Sequence, residues 1–131
     1  MPQGATVVLV VEDEPAIRSL FRMALTKEGY FVLEAANGAE ALEVLDRAGR
    51  ADIIVTDIVM PVMTGTELAK RIRANRPEIK ILFISSYAVD DTGPNVHLLQ
   101  KPFNRDVLVK RVREVVGPPA PFDAAGDIPM R

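Results

Sequence analysis

The sequence predicts an α/β fold: a single, doubly wound parallel sheet with right-handed crossovers. Two observations carry this. Short apolar runs of strand length alternate along the chain with segments whose apolar residues recur at three and four positions. The runs are also continuous rather than alternating, the pattern of strands covered by helices on both faces.

The elements follow in order. Val7 to Val11 supplies five consecutive β-formers. Ile17, Leu20, Phe21, Ala24 and Leu25 then mark one face of a helix, and Gly29 stands where a helix C-terminus favours it. Tyr30 to Leu33 is a candidate strand. Asn37-Gly38 reads as a turn, followed by a helix carrying Ala41, Leu42, Leu45 and Ala48. Asp52 to Thr56 forms a strand around Ile53, Ile54 and Val55. Thr64 and Glu67 have the spacing of a capping box ahead of Leu68 and Ile72. Ile79 to Ile84 and Val96 to Leu99 are the remaining strands, and Leu108, Val112 and Val115 give the last helix its stripe.

Between the last two strands lies Tyr87 to Asn95, too short for an ordinary crossover, which takes about ten to twelve residues with its helix. Gly93-Pro94 cuts off any turn begun at Asp90-Asp91, and only Ala88 and Val89 can pack. The fourth helix is therefore expected to be shortened to about one turn, or absent. The chain divides into an N-terminal leader (1–5), one domain (6–116) and a flexible Pro-rich tail (117–131), which holds four of the ten prolines.

With 131 residues, 48% hydrophobic and 26% charged, the chain suits one self-sufficient core. Its net charge of −2, from 16 basic and 18 acidic residues, argues against nucleic-acid or anionic-membrane partners. Having no cysteine, it has no disulfide, thiolate metal site or cysteine nucleophile. No apolar run approaches the ~20 residues that span a bilayer, and the start lacks the order of a signal peptide. The protein is read as cytoplasmic.

Polar residues follow four of the strand runs: Glu12 and Asp13, Asp57, Ser85, and Lys101 with Pro102. Ligands of open parallel sheets bind outside the carboxyl ends of the strands, so these side chains are expected to converge on one crevice. Three carboxylates crowded together repel one another unless a cation joins them, and Mg2+ suits a site with few protein ligands and several waters. One carboxylate is then free to attack phosphorus, with the ion and Lys101 balancing charge on the equatorial oxygens.

The runs Val10-Val-Glu-Asp-Glu-Pro15, Asp57-Ile-Val-Met60-Pro61-Val-Met63-Thr-Gly65, Ser85 and Lys101-Pro102-Phe103 resemble the CheY-like receiver domain of two-component response regulators. The resemblance covers about residues 6 to 116. It implies a flavodoxin-like sheet in the order 2-1-3-4-5 with five helices. It further implies that Asp57 is the phosphoacceptor and that Asp13, Asp57 and the Val59 carbonyl bind Mg2+, with Glu12 acting mostly through water. Ser85 would hydrogen-bond the phosphoryl group and Lys101 would pair with it. The implied partner is a histidine kinase or a histidine phosphotransfer protein. The protein would catalyse its own Mg2+-dependent phosphorylation and dephosphorylation rather than act as a conventional enzyme. The Gln-Lys-Pro-Phe ending and the Ser-Ser-Tyr run are most similar to receivers of hybrid histidine kinases.

Plainer readings exist for each residue. Asp57 has the alternative of a post-strand turn residue, Glu12-Asp13 of a capping pair before Pro15, Ser85 of a loop serine and Lys101 of a surface lysine. His97, with no second histidine or cysteine, is read as structural. Two rivals concern the whole chain. A phosphorylation-independent binding module of the same fold is disfavoured by the intact acidic, hydroxyl and lysine positions. A dehalogenase-type phosphatase requires a second aspartate two residues after the nucleophile, where Val59 stands.

Departures from the family carry expectations of their own. Val59 and Tyr87 flank the route of the hydrolytic water in the family and offer no group to orient it, so slow dephosphorylation is expected. Leu98 occupies the position three before the lysine that is commonly an aromatic, so either Tyr87 substitutes in the switch or the switch is weak. A reduced fourth helix leaves the usual dimerisation face incomplete and predicts a monomer. The partner is then expected to dock around Ile17, Phe21 and Lys101 to Asn104.

Overall fold

The computed structural model describes residues 4–60, 62–86 and 95–120. Its strands are β1 (Val7–Val11), β2 (Phe31–Ala35), β3 (Ile53–Asp57), β4 (Lys80–Ser85) and β5 (Val96–Gln100). They form one parallel sheet in the order β2-β1-β3-β4-β5. The helices among the described residues are α1 (Pro15–Glu28), α2 (Gly38–Ala48), α3 (Gly65–Asn75) and α4 (Arg105–Val116). The expected shortened or absent helix between β4 and β5 falls on 87–94, outside the described residues. The α4 described here is instead the last stripe, with Leu108 and Val112 fully buried.

Alternation along the central strands divides the core between the two sheet faces. Val7, Leu9, Val11, Ile54, Ile81 and Phe83 pack with Ala41, Leu45, Leu68 and Ile72 of α2 and α3. Val8, Val10, Ile53, Val55, Leu82 and Ile84 pack with Leu25 of α1 and with Leu108 and Val112 of α4. Every residue of β1 is at most 1% exposed, as a strand between two neighbours and two helical layers must be. Strand boundaries differ from expectation by a residue or two. Asp57 and Ser85 close β3 and β4 instead of standing just beyond them, because the ladder continues through their backbones.

Local chemistry sets the helix ends. Asn37, Thr64 and Asn104 each accept a hydrogen bond at the N-cap, from the amides of Glu40 (2.9 Å), Glu67 (3.2 Å) and Val107 (2.9 Å). Gly29 ends α1 with φ of 116°, which glycine adopts freely. Both termini of the domain rest on it. Ala5 is buried, and its carbonyl accepts from Arg50 Nη2 (2.7 Å). The segment expected to be a flexible tail begins against the core: the Tyr30 hydroxyl donates to the Gly117 carbonyl (2.7 Å), and Ala120 N donates to Thr6 Oγ1 (2.9 Å). A buried phenol needs such an acceptor. The rest of that tail, 121–131, lies outside the described residues. Among the described residues, no helix is long and apolar enough to cross a membrane.

Candidate functional site

The parallel ladders bring the expected residues to one edge of the sheet. Asp57 ends β3 in register with Ile84, and Ser85 ends β4 in register with Gln100. Lys101 N donates to the Ser85 carbonyl (2.7 Å), which fixes where the chain leaves β5. On the other flank, Glu12 N donates to the Ala35 carbonyl (3.1 Å), extending β1 by one bond before Glu12 and Asp13 emerge. The order of strands places the carboxylates of β1 beside Asp57, and Ser85 and Lys101 on its other side.

Lys101 reaches the acceptor directly, with Nζ 3.0 Å from Asp57 Oδ2. The Asp57 side chain is 13% exposed and that of Lys101 37%, so the pair sits in a recess that solvent still reaches. Ser85 is buried at the adjacent strand end. The Lys101–Pro102 peptide is cis, and the next residue, Phe103, stacks on Phe21 of α1 with ring centroids 5.9 Å apart.

The loop between β3 and α3 wraps around Asp57. Its other carboxylate oxygen, Oδ1, accepts from Val59 N (3.3 Å). Thr56 Oγ1 lies 2.9 Å from the Asp57 carbonyl and 3.7 Å from Met60 Sδ, so a buried hydroxyl ties the strand end to the loop. Gly65 N donates to the Ile58 carbonyl (2.9 Å), and a Cβ at Gly65 would collide with the Asp57 carbonyl oxygen. That close approach is the physical reason for glycine there. Val62 turns the loop with φ of 73°, a conformation costly for a β-branched residue. In the sequence, Met60 and Gly65 stand only as parts of a pattern; their packing roles and that of Thr56 emerge only in the fold. A methionine pair three residues apart beside a glycine was the available signal.

Glu12 is the electrostatic centre of strain. It is buried, and its pKa is raised from 4.5 to about 7, chiefly by desolvation and then by the charges of Asp57 and Asp13. The Glu14 amide, 3.2 Å from Glu12 Oε1, opposes the rise. A divalent cation answers this crowding, and oxygen donors are what Mg2+ takes. Among the described residues no three His, Cys, Asp or Glu side chains alone are arranged to hold an ion. The donor set therefore fits Mg2+ only as a few carboxylate oxygens completed by backbone carbonyl and water, which is how that ion is usually held.

Two further participants are expected, Leu98 and Tyr87. Leu98 is partly buried against the core on the α2 and α3 side. Tyr87 lies outside the described residues. His97 is half-buried on β5, and its pKa is lowered by burial and by the positive charges of Arg111 and Lys80.

This fold with acidic, hydroxyl and lysine groups at four strand ends defines a class that comparison with known proteins makes explicit. Residues 8–113 match the family model of the response regulator receiver domain, and the chain belongs to that family: it is a receiver domain of the two-component type. The sensor kinase CckA of Brucella abortus (strain 2308) is 42% identical over 120 residues, covering 86% of this chain but 13% of that protein. The response regulator receiver protein CpdR of the same strain is 36% identical over 115 residues, covering 83% of this chain and 95% of its own length. Among solved structures, the receiver domain of the hybrid histidine kinase CckA superposes with a TM-score of 0.75 at 36% identity, covering 84% of this chain and 98% of that one. TrrA of Thermotoga maritima, solved in complex with Mg(2+)-BeF, gives 0.72 at 34% identity over the same shares.

Proposed function

We propose that this receiver accepts a phosphoryl group on Asp57 from a histidine kinase or a histidine phosphotransfer protein, with Mg2+, and relays it by a change in conformation. The observation that carries the reading is the 3.0 Å contact of Lys101 Nζ with Asp57 Oδ2, in a recess that also gathers Glu12, Asp13 and Ser85. In the transfer, an Asp57 carboxylate oxygen forms a bond to phosphorus as the bond from phosphorus to the donor imidazole nitrogen breaks. The electron pair of the broken bond stays on the imidazole. Asp13, Asp57 and the Val59 carbonyl would hold Mg2+, with Glu12 acting through water. When bound, that ion offsets negative charge on the phosphoryl oxygens.

This chain's own groups do the rest. Lys101 meets Asp57 from the β5 side and stays with a phosphoryl oxygen once the acyl phosphate has formed. Ser85, at the neighbouring strand end, would donate its hydroxyl to another. Gly65 lets the loop pass close behind the Asp57 carbonyl, and the Thr56 hydroxyl donates to that carbonyl. Docking of the donor on α1 around Ile17 and Phe21, and on Lys101 to Asn104, is supported by the Phe21–Phe103 stack that joins these surfaces. A monomeric state accompanies this reading.

Acetyl phosphate tests it without knowledge of the partner. Intact-mass measurement should show one phosphoryl adduct with Mg2+ and none with excess EDTA. Absence of any adduct on folded protein with Mg2+ present would assign the domain to phosphorylation-independent recognition instead.

A further inference from the structure

We propose that Met63, seated on the bare backbone of Gly38, positions the loop between β3 and α3 and through it the Val59 backbone at the metal site. The inference rests on the phosphoryl-accepting reading above. The loop is fixed at its ends by the Gly65 amide on the Ile58 carbonyl (2.9 Å) and by Met60 against Thr56. Val59 and Val62 are 68% and 81% exposed, so their side chains add little packing, and Val59 is tied through its amide to Asp57 Oδ1 (3.3 Å). Met63 is the side chain that turns inward on the far half of the loop, packing against the core beside α2 and α3.

The seat is Gly38, the first residue of α2. A Cβ there would lie 2.8 Å from Met63 Sδ and 2.9 Å from both Met63 Cβ and Cγ. Gly38 is not among the glycines with positive φ, so backbone freedom is not the reason for glycine at this position. Space is. Helix α2 is held by the Asn37 cap and by buried Ala41 and Leu45. The loop has two exposed valines, one of them, Val62, left-handed. If a methyl group is added at the contact, the loop is the partner that gives way. Met63 is four residues from Val59 on that loop, so both Met63 and Gly38 act as positioning residues without touching the phosphoryl group.

Two variants probe the contact from opposite sides. Gly38→Ala pushes Met63 off its seat, while Met63→Ala empties the seat. Each full-length variant is compared with wild type by amide spectra without metal, by Mg2+ titration and by urea unfolding. Both variants should unfold cooperatively, shift the amides of Val59 and Met63 in metal-free protein, and bind Mg2+ about tenfold more weakly, the scale for disturbing a support of a metal ligand. The double variant should lose less than the product of the single losses, because both changes act on one contact. Folded variants with an unmoved Val59 amide, or with unchanged Mg2+ affinity, would overturn the proposal. If Gly38→Ala does not fold, Met63→Ala decides alone. If wild type itself fails to bind Mg2+, the phosphoryl-accepting reading falls, while the metal-free spectra still decide whether Gly38 positions the loop.

Discussion

Replacing Glu12 with glutamine should make the metal-free protein more stable at neutral and alkaline pH, and the effect should vanish in acid. Glu12 is buried among carboxylates, and its pKa rises from 4.5 to about 7 on folding. A raised carboxyl pKa means the folded state binds the proton more tightly than the unfolded one. Glu12 therefore contributes stability that is fully present below the unfolded pKa of 4.5 and is lost as pH rises through about 7. The loss amounts to about 3 kcal/mol at most, a large part of the ~5–15 kcal/mol that holds a domain together. Glutamine keeps an oxygen for the Glu14 amide and removes the charge. Urea unfolding in EDTA should show Glu12→Gln and wild type alike below about pH 4, and the variant ahead by up to about 3 kcal/mol at about pH 8. Added Mg2+ should narrow that gap, since it stabilises the charged site of wild type more. A difference between the two proteins that stays flat with pH would refute the burial of Glu12 among the carboxylates of this site.

Other consequences are equally direct. Val62→Asn should stabilise the protein by about 1 kcal/mol in thermal or urea unfolding, because asparagine tolerates the φ of 73° that strains valine. Tyr30→Phe should cost about 1 kcal/mol by losing the 2.7 Å bond to the Gly117 carbonyl; truncation after Val116, which leaves the buried hydroxyl without that acceptor, should cost more. Val59→Asn should hasten decay of the phosphorylated protein by about tenfold, since an amide beside Asp57 orients the hydrolytic water where an exposed valine does not. An unchanged or slower decay counts against that account.

Much of this architecture was legible because burial leaves a coarse trace. Continuous apolar runs such as Val7–Val11 and Ile81–Phe83 announce strands covered on both faces, and the three-four spacing of Leu108, Val112 and Val115 announces a helix. Strand ends were less legible: a strand buried on both faces has no polar phase to mark its last paired residue, so Asp57 and Ser85 looked like loop residues. Site residues were visible because their polarity breaks apolar runs. Their supports were not. The space that Met63 needs over Gly38, the collision that keeps Gly65 bare and the hydroxyl of Thr56 on the Asp57 carbonyl are properties of three-dimensional contact. Valine at position 62 even argues against the left-handed backbone it adopts. Likewise Gly-Pro-Pro reads as a linker, yet Gly117 supplies the acceptor for Tyr30.

The central claim is that Asp57 itself receives the phosphoryl group, and one comparison tests it most directly. Wild-type protein and Asp57→Asn are incubated with a phosphorylated histidine donor and Mg2+, and the labelled residue is mapped after proteolysis. Asparagine keeps the shape at the end of β3 and the approach of Lys101 while removing the nucleophilic carboxylate. The account predicts label on the peptide containing Asp57 in wild type and none in the folded variant. Equal labelling of Asp57→Asn, or label mapped to Asp13 or Glu12 in wild type, would contradict it.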